Sequence, residues 1–85
     1  MENAEYQKMY EVEESHWWYV GLHELILYFV DKERAKRGPL KILDAGCGTG
    51  RLCQLMNKFG DVSGCDISDN ALQLCSKRKI SAFSA

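Results

Sequence analysis

The 85-residue chain lacks an excess of charge of either sign: 11 Lys and Arg stand against 12 Asp and Glu, for a net charge of −1. Without a basic field there is no electrostatic pull toward nucleic acid or anionic lipid, so neither is expected as a partner. The four cysteines, Cys47, Cys53, Cys65 and Cys75, contain no C-x-x-C pair. That spacing indicates neither a zinc ribbon nor a redox dithiol, and reads as small, partly buried hydrophobes in a reducing compartment. The two histidines, His16 and His23, have no adjacent ligand set, so no metal site is expected. Long apolar runs are also missing: "HWWYVGLHELILYFV" is interrupted by His23 and Glu24 and is too short to span a bilayer. The opening "MENAEYQKMYEVEES" is acidic and polar, unlike a secretory leader, and the expected location is cytoplasmic.

What is present suits one globular unit, with 46% hydrophobic residues. A domain this short buries only roughly 60% of the surface its unfolded chain exposes, so its core is expected to be marginal without a staple or partner. From Leu22, the residues Leu25, Ile26, Phe29 and Val30 fall at helical spacing and predict an amphipathic helix running into "DKERAKR" and ended by Gly38 and Pro39. "LKILDA", residues 40–45, predicts a strand covered on both faces. Leu52, Leu55, Met56 and Phe59 predict a second helix, with Gly60 as a left-handed C-cap. "DVSGCDI" predicts a second strand, Ser68 an N-cap, "DNALQLCSKRK" a third helix, and "ISAFSA" the start of a strand. Helix, strand, glycine-rich turn, helix, strand, helix and partial strand make an α/β order, the N-terminal half of a Rossmann-like, doubly wound parallel sheet. Residues 1–38 form an N-terminal helical cap in this reading, and residues 39–85 a βαβα segment.

The turn "ILDAGCGTG" sets three glycines at alternate positions directly after the first strand. Glycine there permits otherwise closed backbone angles and removes the Cβ that would hold a ligand away. The dinucleotide pattern G-x-G-x-x-G/A is disfavoured because its third small position is Arg51, and the phosphate loop fails because no Gly-Lys-Ser/Thr follows. What remains is D-x-G-x-G-x-G, carried by Asp44, Gly46, Gly48 and Gly50. It resembles the first motif of class I S-adenosylmethionine-dependent methyltransferases. Asp66 in "VSGCDIS", at the end of the second strand, matches that family's second motif, and "EESHWWYVGLHELI" is similar to the H-W-W stretch of many small-molecule methyltransferases.

The resemblance covers nearly the whole chain and implies S-adenosylmethionine as cofactor and a small-molecule methyl acceptor. It implies that Gly46, Cys47 and Gly48 present backbone to the cofactor's amino-acid portion and ribose, and that Gly50 lets the next helix pack closely. Asp44 would orient the turn and, directly or through water, meet the cofactor's ammonium. Asp66 would hold the ribose, and Ile67 would lie against the adenine. His16, Trp17, Trp18 and Tyr19 would either lid the cofactor and wall the substrate site or pack the first helix on the sheet. Val20, Leu22 and His23 stand where many members carry arginines, which leaves a salt bridge from that segment to the cofactor's carboxylate without its usual cation.

In such enzymes the later strands supply substrate contacts and any general base. The 85 residues are therefore expected to be a shortened methyltransferase, inactive or nearly so alone, with no catalytic residue to name. An unpaired sheet edge and uncovered apolar faces would favour self-association or a complementing chain. A non-catalytic half-domain adapter that pairs with another chain is the alternative.

Overall fold

A computed structural model describes residues 3–85; Met1 and Glu2, at the head of the stretch read for a leader, lie outside the described residues. The elements in chain order are α1 (Asn3–Val12), α2 (Trp17–Arg37), β1 (Leu40–Ala45), α3 (Arg51–Met56), a 3-10 turn (Asn57–Phe59), β2 (Gly60–Asp66), α4 (Asp69–Lys77) and β3 (Ala82–Ser84). The three strands are parallel, in the order β1-β2-β3. Registers of Ile42 with Val62 and Cys65 with Phe83 bring the C-terminal ends of β1 and β2, and the loops that follow them, to one end of the sheet. The α/β expectation holds.

Cys53 of α3 and Cys75 of α4 meet Ile80, Val62 and Ala82 in one core cluster, so both crossover helices cover the same face of the sheet. A second cluster joins Tyr6 of α1 to Ala71 and Leu74 of α4. Ser68 caps α4 by accepting the Ala71 N–H at 3.2 Å, as its residue type dictates. Helix α2 ends where Gly38, at φ +78°, returns its N–H to the Arg34 carbonyl at 2.8 Å.

Four expectations are corrected. Helix α1 had no counterpart in the periodicity; its inward residues are Tyr6, Met9 and Tyr10, followed by Glu13 just beyond the helix, and the carboxylate dilutes the apolar pattern. Helix α2 begins at Trp17, not near Leu22, because the His16 imidazole accepts the Trp18 N–H at 3.3 Å and caps it. Its inward face runs through Val20, His23, Ile26, Leu27 and Val30, leaving Leu22, Leu25 and Phe29 exposed. Strand β1 is not covered on both faces: Lys41, Leu43 and Ala45 are exposed, because α3 and α4 lie on the other face. Gly60 does end the 3-10 turn, yet at φ +155°, ψ −157°, opening β2 where a Cβ would stand 1.9 Å from the Leu40 carbonyl oxygen.

Candidate functional site

The glycine turn leaves β1 at Ala45 and enters α3 at Arg51, and its backbone is fastened at both ends. The N–H groups of Gly46 and Cys47 both donate to the Cys65 carbonyl, at 2.8 and 2.9 Å, and the Gly48 N–H donates to Asp66 Oδ2 at 3.0 Å. Asp66 Oδ1 accepts the Ser68 N–H at 2.9 Å, so one carboxylate holds the turn after β1 and the turn after β2 together. Asp66 is buried, with Tyr6 of α1 close enough to hydrogen-bond it; burial, then the Asp66 charge, raises the Tyr6 phenol above its ordinary value of 10.0.

Gly46, Gly48 and Gly50 have φ of +71°, +57° and +84°, which a side chain rarely tolerates. Their surroundings differ. A Cβ on Gly46 would meet nothing within 4 Å, so the backbone there faces open space. A Cβ on Gly50 would stand 2.9 Å from Cys75 Sγ, so this glycine permits close approach of α4. Gly64 of β2, which sequence reasoning missed, is equally demanding: a Cβ would stand 2.7 Å from Cys47 Sγ. A glycine inside a strand signals such a close approach.

The bare turn opens on a cavity of about 250 Å³, lined among others by Asp44, Gly46, Gly48, Tyr19, His23 and Tyr6. Asp44 is half-buried and accepts the Cys53 thiol at 3.6 Å; burial raises its carboxyl above the ordinary 3.8, opposed by that thiol and by His23. Burial lowers His23 below 6.5, and Arg51 and Arg78 push the same way against Glu13 and Asp44. The Asp44 carboxylate and the bared backbone of Gly46 and Gly48 line this cavity and form a cradle suited to a ligand with a cationic portion, whereas Asp66 is buried beside Tyr6 and does not line it.

The remaining sequence candidates separate. Tyr19 lines this cavity, but Trp17 and Trp18 do not; they are 77% and 56% exposed, and line a shallow groove on α2 with Gly21, Leu22 and Leu25. His16 stays at the N-terminus of α2. Ile67 is 83% exposed, directly after Asp66. A buried cluster that no motif announced closes the far side of the turn. Arg78 pairs with Glu13 and donates to the Thr49 carbonyl at 3.0 Å and to Thr49 Oγ1 at 2.9 Å, while Thr49 Oγ1 donates to Glu13. It joins α1, the turn and the end of α4 across 65 positions of sequence, beyond the reach of local pattern.

Residues 36–84, more than half of the chain, match the family described as the methyltransferase domain. The chain belongs to that family. Three solved structures resemble this methyltransferase domain. DesVI from Streptomyces venezuelae aligns over 100% of the chain and 36% of its own length, with a TM-score of 0.68 and 19% identity. The plantazolicin methyltransferase BpumL, solved in complex with SAH, aligns over 67% of the chain and 24% of its own length, with a TM-score of 0.55 and 31% identity. A SAM dependent methyltransferase from Archaeoglobus fulgidus aligns over 74% of the chain and 29% of its own length, with a TM-score of 0.52 and 23% identity. The chain thus spans only about a quarter to a third of the lengths of these structures. No curated protein sequence matches the methyltransferase domain. Among the described residues, no helix is long and apolar enough to cross a membrane, and no group of side chains is suited to hold a metal ion.

Proposed function

We propose that the chain is the S-adenosylmethionine-binding portion of a methyltransferase acting on a small molecule, and that it does not complete methyl transfer by itself. The observation that carries this reading is the cavity at the end of β1, where positive-φ backbone at Gly46 and Gly48 lies beside Asp44 and is held from behind by Asp66 through the Gly48 N–H. The residues fit the cofactor: the open space at Gly46 accepts a group against main chain, and Asp44 offers a carboxylate to an ammonium. Asp66 retains acceptor capacity beyond its two backbone bonds, which suits ribose hydroxyls once Tyr6 gives way. Exposed Ile67 offers an apolar surface to an adenine.

The bound cofactor supplies a methyl group on a sulfonium, transferred by in-line displacement. This chain's residues contribute orientation and partial exclusion of water: the turn and Asp66 fix the cradle, and α1 roofs it with Tyr6 and Met9. Methyl acceptor contacts and any general base are assigned to segments matching the rest of the larger structures. Calorimetric titration of the chain with S-adenosylhomocysteine tests the reading. Saturable one-to-one binding supports it; a folded chain that takes up no ligand refutes it.

A second reading, a half-domain adapter completed by another chain, is favoured by one observation. Among the described residues no strand pairs with the outer edge of β1, and its open face exposes Leu43, near Phe83 of β3. Sedimentation velocity tests it: concentration-dependent association of the folded chain supports pairing, and a monomer throughout argues against it. A cytoplasmic location remains part of the same proposal, resting on the free cysteines.

A further inference from the structure

We propose that Cys47 and Cys75 are a modification site, oxidised by a hydroperoxide to a reversible disulfide that tethers the glycine turn to α4. The two sulfurs lie 3.7 Å apart, and Cys75 Sγ also donates to the Gly48 carbonyl at 3.2 Å, which aims it at the turn. Cys47 is half-buried and lines the cavity, whereas Cys75 has no exposed surface, so an oxidant reaches the pair through Cys47. A disulfide needs sulfurs about 2.05 Å apart, a closure of roughly 1.7 Å. The turn backbone is fastened to Cys65 and Asp66, so the closure falls to rotation of the two cysteine side chains about their own Cα–Cβ bonds.

The chemistry balances with one peroxide. Hydrogen peroxide transfers an oxygen to Cys47 Sγ, its O–O bond breaks, and water leaves behind a sulfenic acid. Cys75 Sγ then attacks that sulfur, the S–O bond breaks, and hydroxide takes the Cys75 proton to leave as a second water. Two thiols lose two electrons, and the peroxide gains them. Burial raises the Cys47 thiol well above the ordinary range, with Cys75, Cys53 and Asp44 acting the same way. Burial and the Asp66 and Asp44 charges raise Cys75 against Cys47 and Arg78, so the reaction is slow at neutral pH and quickens as pH rises. The competing sulfur is Cys53, which is engaged with Asp44 and pushed up to about 12 by burial.

The test is mass-spectrometric mapping of the folded 85-residue chain after hydrogen peroxide, with free thiols alkylated first and a urea-unfolded sample alongside. The expected product joins tryptic peptide 42–51 to peptide 59–77 through Cys75, not Cys65, disappears with a dithiol, and predominates only in the folded sample. The variant Cys75→Ala is expected to leave Cys47 trapped as sulfenic acid. Linkage of Cys47 to Cys53, linkage through Cys65, or sulfinic acid on Cys47 beside a free Cys75 in folded wild-type chain would overturn the proposal. The wild-type map decides even if the variant fails to fold. Because this readout involves no cofactor, it fails or succeeds separately from the function proposed above.

Discussion

In α2, Trp17 and Trp18 stand largely in solvent, while in β2 neither Gly60 nor Gly64 leaves room for a single methyl group. The two regions are specified by different physics. Between the strands and the glycine turn, backbone meets backbone or sulfur at contact distance, so the fold there tolerates almost no added volume. Helix α2 has no buried residue and presents a half-buried stripe on one side and an exposed apolar stripe on the other. Close packing therefore resides around the glycine turn, and exposed apolar surface resides on the helix.

The largest effect should come from Gly60→Ala. Its Cβ would collide with Leu40 backbone, which anchors the first register pair of β1 and β2. We expect a loss of at least about 4 kcal/mol, comparable to the whole stability of a domain this small, and hence a collapsed thermal transition in circular dichroism. Glu13→Ala comes next, because it strands the buried Arg78 guanidinium beside Thr49. The expected loss is about 3 kcal/mol, and hydrogen exchange should show α1 opening first while β1 and β2 stay protected.

A smaller effect concerns pH. Folding lowers His23 below its ordinary 6.5, so the folded chain binds fewer protons there than the unfolded chain. Its contribution is fully present above that ordinary value and is lost progressively as pH falls from there through the lower folded value. His23→Gln should flatten the fall in urea midpoint between neutral and mildly acidic pH. The smallest effect on stability should be Trp17→Ser, within about 0.5 kcal/mol because the ring is exposed. A large loss of stability on that change would erase the contrast between the two regions.

Much of the strand-and-turn region was legible in the sequence because its signals are local. Leu52, Leu55, Met56 and Phe59 carry the helix period, Ser68 is an N-cap by residue type, and the glycines with Asp44 and Asp66 form a spaced motif. The N-terminal region was less legible. In α1 the inward stripe ends in Glu13, whose burial depends on Arg78 far along the chain. In α2 apolar residues occupy two faces, so periodicity could not tell which one the protein covers. Of the cradle, the motif spacing singled out Gly48 and Asp66, which a hydrogen bond joins in the fold. It could not indicate that Tyr6 sits on Asp66 or that Gly64 admits Cys47, since both are contacts between elements.

Reception of the cofactor by the open glycine backbone, and not by the aromatic helix, is the proposal on which the functional reading depends. Amide correlation spectra of the labelled chain, titrated with S-adenosylhomocysteine, address it most directly. Saturable shifts are expected at Gly46, Gly48, Asp66 and Ile67, with the Trp17 and Trp18 indole signals unmoved. A well-dispersed spectrum in which those four amides stay fixed, or in which only the α2 indoles respond, would contradict it.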